Sequence, residues 1–418
     1  MVIVTSSQLP YQSLQTGTWV KLICGASYQD MPTVRRLVMI YALAGVDCVD
    51  IAADPAVVLA ARQGLGDAAA LAPYLYRDCQ DLRAGLPWLM VSLNDSEDPH
   101  FRKAEFDPKK CPVSCDRPCE AVCPTTAIQF EGIGEGGVIH DLCYGCGRCL
   151  PICPVNNITA QYRQARPEDF GDDWLHLIDA VEIHTQTGRQ REFAALWQRL
   201  TAWMPTLKLV SISCPDHDQV VPYLWDLHQI MAPLAVPLIW QTDGRPMSGD
   251  LGRGTTHATI RLARKVLGAG LPGYVQAAGG TNSYTVDKLR ELGLVHHHSN
   301  HAGPSANGQT PAETTGRIAG IAYGSYARAL VMPLLGAIDA DVQTWLATVE
   351  ASQSLAIATS PSVPVSRADG QSFDKSNLSR SCSWIEPKLL AIDRQSALMQ
   401  ALGLARDLVR LLKDGGAA

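Results

Sequence analysis

Three observations predict an α/β fold, a (β/α)8 barrel interrupted by a small cysteine-rich insert. Eight short runs rich in Val, Ile and Leu recur along the 418-residue chain, and helix-patterned stretches separate them. Eight of the thirteen cysteines crowd into one window between the third run and the fourth. Strands buried on both faces read as continuous apolar runs, and strand–helix units in succession build a parallel sheet. An open doubly wound sheet with the insert as a separate domain is the alternative, because periodicity does not fix topology.

The runs are residues 20–24, 46–52, 87–93, 178–183, 208–213, 236–241, 273–278 and 318–322. Between them, 31–43 is apolar at helical spacing and 55–62 is Ala-rich; 191–203 and 220–231 continue the alternation. Residues 255–267 start after Gly254 and stop before Gly268, and 284–292 end at Gly293, as glycine-terminated helices do. Residues 299–316 and 359–383 read as loops, and an apolar helix over 396–412 follows them. The expected division is 1–97 for the first part of the barrel, 98–165 for the insert and 166–336 for the second part. An irregular extension over 337–394 and a C-terminal helix and tail over 395–418 complete it.

Hydrophobic content of 46% with 18% charged residues describes a globular chain with a large core. The net charge of -6 argues against nucleic acid as a partner. The N-terminus lacks a basic region followed by an apolar one, so no signal peptide is expected. The apolar stretch 37–46 is far too short to span a bilayer, and a cytoplasmic location follows as the expectation. Cys24, Cys48 and Cys214 fall in strand runs and read as buried small hydrophobes, while Cys79 and Cys382 are scattered elsewhere.

The remaining eight cysteines carry the chemistry. Cys111, Cys115, Cys119 and Cys123 are followed by Pro124; Cys143, Cys146, Cys149 and Cys153 are followed by Pro154. The second run is C-x2-C-x2-C-x3-C-P, the spacing of bacterial ferredoxin clusters, in which the last cysteine of each run ligates the other cluster. The expectation is one cluster on Cys143, Cys146, Cys149 and Cys123, and another on Cys111, Cys115, Cys119 and Cys153. This makes the insert a two-cluster ferredoxin-like unit. Residues 119–128 repeat as 149–158 at an offset of 30, which suggests two pseudo-symmetric halves. The first run has three-residue gaps upstream, a looser loop that suits either a 4Fe-4S cluster or a 3Fe-4S one. Structural zinc uses C-x2-C pairs but has no need of the Cys-Pro repeat, and disulfides are disfavoured without a secretory signal. Residues 98–163 hold seven Lys/Arg and eight Asp/Glu. Lys109, Lys110, Arg117 and Arg148 stand beside the cysteines, where cations favour the more negative, reduced form.

The insert interrupts the unit after the third strand. Loops there lie on the C-terminal face of a barrel, where barrel active sites sit. Gly279 and Gly280 follow the seventh run, and Gly324 and Ser325 follow the eighth. Barrels bind phosphate with these two loops, so the four residues either hold a flavin or other phosphate-bearing ligand or make tight turns. Asp243, Arg245, Asp250 and Arg253 after the sixth run either bind a small anionic ligand or dock a partner, or they pair among themselves. His296, His297, His298 and His301 read as a solvated loop. There is no G-x-S-x-G elbow, P-loop or H-E-x-x-H motif.

The chain also resembles the cyanobacterial light-dependent period family. The likeness is carried by Lys21-Leu-Ile-Cys-Gly-Ala-Ser-Tyr28, by Ala52-Ala-Asp-Pro55, by both cysteine runs and by Ala322-Tyr-Gly-Ser-Tyr-Ala-Arg328. It covers most of residues 15–335 and the last helix, and the eight cysteines match the family's ligand pattern position by position. The resemblance implies a circadian clock input component that adjusts period to light through cellular redox state. It also implies clock input proteins as partners and the quinone or ferredoxin pool as redox donor. The leading expectation is therefore a redox-sensing iron–sulfur protein rather than a catalyst. The alternative is an iron–sulfur oxidoreductase passing electrons to a flavin- or phosphate-containing ligand in the barrel.

Overall fold

The structure, a computed structural model, describes residues 9–75, 85–130, 136–169, 172–245, 252–295, 316–359 and 396–413. In chain order, α1 (Leu9–Thr16) precedes β1 (Trp19–Gly25), α2 (Met31–Ala44), β2 (Cys48–Ala52), α3 (Pro55–Leu75) and β3 (Trp88–Asn94). The insert contributes β4 (Arg102–Glu105), α4 (Pro118–Val122), β5 (Ile128–Gln129), β6 (Gly137–Val138), α5 (Cys149–Ile152) and β7 (Thr159–Tyr162). The barrel resumes with α6 (Asp172–Leu175), β8 (Ala180–His184), α7 (Gln190–Leu200), β9 (Leu209–Pro215), α8 (Val220–Met231) and β10 (Leu238–Asp243). It ends with α9 (Thr255–Leu267), β11 (Tyr274–Ala278), α10 (Thr285–Glu291), β12 (Gly320–Tyr323), α11 (Ser325–Thr359) and α12 (Ala397–Lys413).

The eight barrel strands close in the order β1-β2-β3-β8-β9-β10-β11-β12, and every pairing between them is parallel. All eight apolar runs are strands of this barrel, so the closed form holds and the open sheet does not. Alternate strand residues face the helices: Val20 and Leu22, Val49 and Ile51, Leu89 and Val91, Val181 and Ile183 join the cluster that α2, α3, α7 and α8 cover. The extension differs from its expected form. Residues 337–359 continue α11 as helix rather than starting irregular structure, although Pro333 and Gly336 lie within it. Residues 360–383, Asp250, His296, His297, His298 and His301 lie outside the described residues.

The inward face departs from the expectation of strands apolar on both sides. Its lowest layer is apolar (Trp19, Cys48, Trp88, Met90, Leu209, Ile239 and Tyr274) and α1 plugs it with Leu14. Two residues further along the strands the barrel fills with polar groups. Lys21 pairs with Glu182 and lies 3.7 Å from Asp50, with all three side chains buried. Glu182 also accepts from Ser211 at 2.8 Å and from Gln241 at 2.7 Å. Gln241 accepts from Gln276 at 2.6 Å, which accepts from the Trp19 indole at 2.6 Å. Ser92 donates to Asp50 at 2.7 Å. Burial opposes the Glu182 charge, but Lys21 and His184 outweigh it and hold this carboxyl well below the usual range. Burial and the Glu182 charge push Asp50 up to about 6, against the pull of Lys21.

Candidate functional site

Both ends of the insert are tied to one residue. The Asn94 side chain, at the end of β3, donates to Ser96 O at 2.6 Å and Arg163 O at 3.1 Å, and accepts from Ala165 N at 2.9 Å. Beyond this staple, β4 and β7 pair antiparallel and β5 pairs with β6. The core they enclose is small, and three of its seven buried members are Cys119, Cys143 and Cys149.

The 30-residue repeat is visible in backbone geometry. Thr126 and Asn156, 30 positions apart, are both left-handed at φ 52° and 51°. Three residues before each, Cys123 and Cys153 end α4 and α5 at φ -74° and -70° with ψ 112° in both. Four residues on, an amide returns to each sulfur: Ala127 N to Cys123 Sγ at 3.2 Å and Asn157 N to Cys153 Sγ at 3.3 Å. Amides aimed at sulfur favour thiolate over thiol, and those of residues 155–158 draw the Cys153 thiol down although burial opposes them.

The thiols gather in two quartets, and each run lends its last cysteine to the other. A small cavity of about 20 Å³ is lined by Cys123, Cys143, Cys146 and Cys149, with Tyr144 and Arg102. Burial raises Cys149 to about 12, and the nearby Cys146, Cys143 and Cys123 add to it. In the second group, Cys111 senses Cys115 and Cys153, and Cys119 senses Cys153 and Cys111. The first quartet is the inner one, facing the barrel; the second is more exposed. Gly145 makes the inner loop tight: its φ is 71°, and a Cβ there would stand 2.3 Å from Arg102 O. Arg102 Nε in turn donates to Gly145 O at 3.0 Å, and Ala104 N donates to Cys143 Sγ at 3.4 Å.

Contacts join the inner quartet to the barrel mouth. Tyr144 meets Tyr28 edge-on at 5.7 Å, and the Arg328 guanidinium lies 4.7 Å from the Tyr144 ring centre. Arg328 also donates to Ile23 O at 2.7 Å and Ser325 Oγ at 3.1 Å. Lys103 is buried beside Cys143 and donates to Gln29 Oε1 at 2.8 Å and to His140 O. Burial lowers Lys103 to about 8, and the Cys143 thiolate resists that fall. Of the cations singled out in the sequence, Arg117 stacks 4.3 Å above Phe130 and bears on Cys111, and Arg148 bears on Cys146.

The other candidates make local contacts, and Thr281 donates to Ala322 O at 2.6 Å and Tyr326 to Ser283 Oγ at 3.1 Å between the loops after β11 and β12. Gly279 would place a Cβ 2.7 Å from Gly244 N, and Gly280 would place one 3.0 Å from Thr255. Their carbonyls accept from Arg245 N, Thr259 and Thr255, so both are engaged in packing α9 against the β11 loop. Gly324 and Ser325 instead face Arg328. Asp243 turns into the barrel and accepts from Ser213, while Arg253 stacks 3.5 Å above Tyr284. Cys24, Cys48 and Cys214 are buried, as expected of small hydrophobes. No described helix is long and apolar enough to cross a membrane.

A second polar group sits where β3 and β8 open into the mouth. Asp98 caps the short turn 99–101 and accepts from His100 N at 2.9 Å and from His100 Nδ1 at 2.8 Å. His184, the last residue of β8, lies with Nε2 3.2 Å from Glu182 and Nδ1 3.9 Å from Asp98. Burial works against its charge, yet Glu182 and then Asp98 raise it to about 9. Sequence reading missed this group and the barrel network. The available signal was a polar side chain set among the apolar residues of several strand runs: Lys21, Asp50, Glu182, Gln241 and Gln276.

Residues 111–164 match the family described as LdpA Fe-S cluster-binding domain, and residues 175–363 match the Light dependent period A C-terminal domain. The chain is 52% identical over 291 residues to Light dependent period A of Synechococcus elongatus, covering 69% of this chain and 78% of that protein. Over 51 residues it is 45% identical to the ferredoxin-type protein NapF of Haemophilus influenzae, covering 11% of this chain and 28% of NapF. Over 54 residues it is 43% identical to the pyruvate synthase subunit PorD of Methanocaldococcus jannaschii, covering 13% and 60%.

Proposed function

We propose, from the premise that this chain belongs to the light dependent period A family of iron–sulfur proteins, that it senses redox state through two clusters held in crossed quartets. Cys123, Cys143, Cys146 and Cys149 would hold the inner cluster, and Cys111, Cys115, Cys119 and Cys153 the outer one. The observation that carries this reading is the inner cavity, where Cys123 of one run joins three cysteines of the other. A cluster so held supplies a reversible one-electron change of charge. Arg102, Lys103 and Arg148 around the inner quartet favour added negative charge there and raise the reduction potential. Tyr144, Tyr28 and Arg328 then couple that charge to the loop after β1 and the start of α11. A clock input partner reading this face, with electrons supplied from the quinone or ferredoxin pool, completes the proposal.

The test is anaerobic purification with iron, sulfide and organic cofactor analysis, followed by a redox titration. Iron and sulfide near eight each per chain fit two 4Fe-4S clusters; colourless, iron-free material would contradict the reading. Passage of electrons to a flavin or other phosphate-bearing ligand is a second reading. It draws on the Arg328 Nε, buried without a hydrogen-bond partner beside Gly324 and Ser325. Organic phosphate copurifying with the chain supports it, and its absence removes it.

A further inference from the structure

We propose that Asp98, His100 and His184 form a mononuclear site for a divalent first-row transition-metal ion, separate from both cysteine quartets and set in the barrel mouth. One ligand atom from each residue lies within 4.8 Å of the other two. Such an ion, with bonds of about 2.0–2.2 Å, spaces its ligands roughly 3 Å apart. The observed 2.8 Å from His100 Nδ1 to Asp98 and 3.9 Å from His184 Nδ1 to the same oxygen bracket that spacing. Small side-chain rotations bring the three atoms into place.

The surroundings point the same way independently. The far nitrogen of His184 rests on Glu182 at 3.2 Å, the carboxylate–histidine arrangement that orients a metal-bound imidazole and leaves its other nitrogen to the ion. Glu182 is itself fixed by Lys21, Ser211 and Gln241. Phe101 stands edge-on to the His184 ring at 5.2 Å and limits its rotation. Asp95, whose amide donates to His184 O, adds a buried carboxylate that pairs with Arg189 at 3.6 Å. Asp243 adds a further buried carboxylate that senses both histidines. Acidic groups therefore dominate the wall, with Lys21 and Arg189 behind two of them, while the His100 side chain remains 24% exposed and provides an entry path.

Two imidazoles and one carboxylate suit zinc, iron(II) or cobalt(II) rather than calcium or magnesium, and they leave coordination positions open for a small ligand. The site lies at the strand ends where barrels place their chemistry. It adds to the cluster reading without depending on it.

The test uses the full chain with its clusters, stripped of loose divalent ions and dialysed against cobalt(II). Bound cobalt is measured by mass spectrometry and its ligands by pulsed electron paramagnetic resonance. The expected result is one cobalt per chain with imidazole nitrogen coupling. Asp98→Asn and His100→Gln should each weaken binding by about tenfold or more, and His100→Gln should simplify the nitrogen coupling. Circular dichroism and unchanged cluster iron confirm that these variants fold. Binding far below one ion per chain overturns the proposal. So does binding that survives both variants, or binding that disappears with Cys146→Ser while both variants retain it.

Discussion

The barrel interior and the cysteine insert bury reactive groups by opposite means. Inside the barrel, each charge meets a counter-charge or a hydrogen-bond donor from a neighbouring strand: Lys21 answers Glu182 and Asp50, and Gln241, Gln276 and Trp19 extend the chain. In the insert the thiols have mainly one another, set in a core of seven buried residues of which three are cysteines. The polar layer of the first region is neutralised by its own strands. The second is shaped around something the polypeptide does not supply, and metal-dependent folding is the general outcome for such small units.

The largest test of this contrast is iron removal. Chelation under oxidising conditions should abolish hydrogen-exchange protection across residues 102–162 while the barrel strands keep theirs; equal loss in both would end the distinction. Next, Cys146→Ser and Cys115→Ser should each remove about half of the iron. Only Cys146→Ser should abolish the reduction-dependent change at Tyr28 and Arg328, because Tyr144, between Cys143 and Cys146, touches both. An unchanged response in Cys146→Ser contradicts the sensing mechanism.

The reverse perturbation strikes the barrel. Lys21→Met leaves Asp50 and Glu182 without their cation, and breaking a buried pair in this way costs about 3–5 kcal/mol. Urea unfolding of the barrel should shift accordingly while cluster absorption at low urea is unchanged. Lys103→Gln should lower the inner potential by tens of millivolts and leave the outer one nearly fixed. The smallest effect belongs to Tyr144→Leu, which removes a ring pair and a cation contact and should cost about 1 kcal/mol of stability.

Much of this arrangement was legible in the chain, for reasons that differ by region. All eight strands were readable because their helix-facing residues, such as Val20, Val49 and Val181, must be apolar. The cysteine quartets were readable because cluster ligation fixes spacing, and the repeat at Thr126 and Asn156 shows how closely backbone follows spacing. The interior network was hidden because Lys21, Asp50 and Glu182 are each single polar residues within apolar runs. Their meaning appears only when strands far apart in sequence are rolled together. Asp98, His100 and His184 share that difficulty, since 84 positions separate the second histidine from the first. The helical course of 337–359 was hidden because α11 lacks a pronounced apolar stripe and carries Pro333 within it.

The staple at Asn94 carries a consequence for how this architecture arose. Its side chain grips Ser96, Arg163 and Ala165 together, so the polypeptide leaves the third strand and re-enters at almost the same point. A segment whose ends meet in this way can be spliced out and replaced by a short linker without stretching the host. The cysteine module is, in this sense, a detachable cartridge. Its removal would cost the barrel the contacts of Tyr144, Lys103 and Asp98 at the mouth.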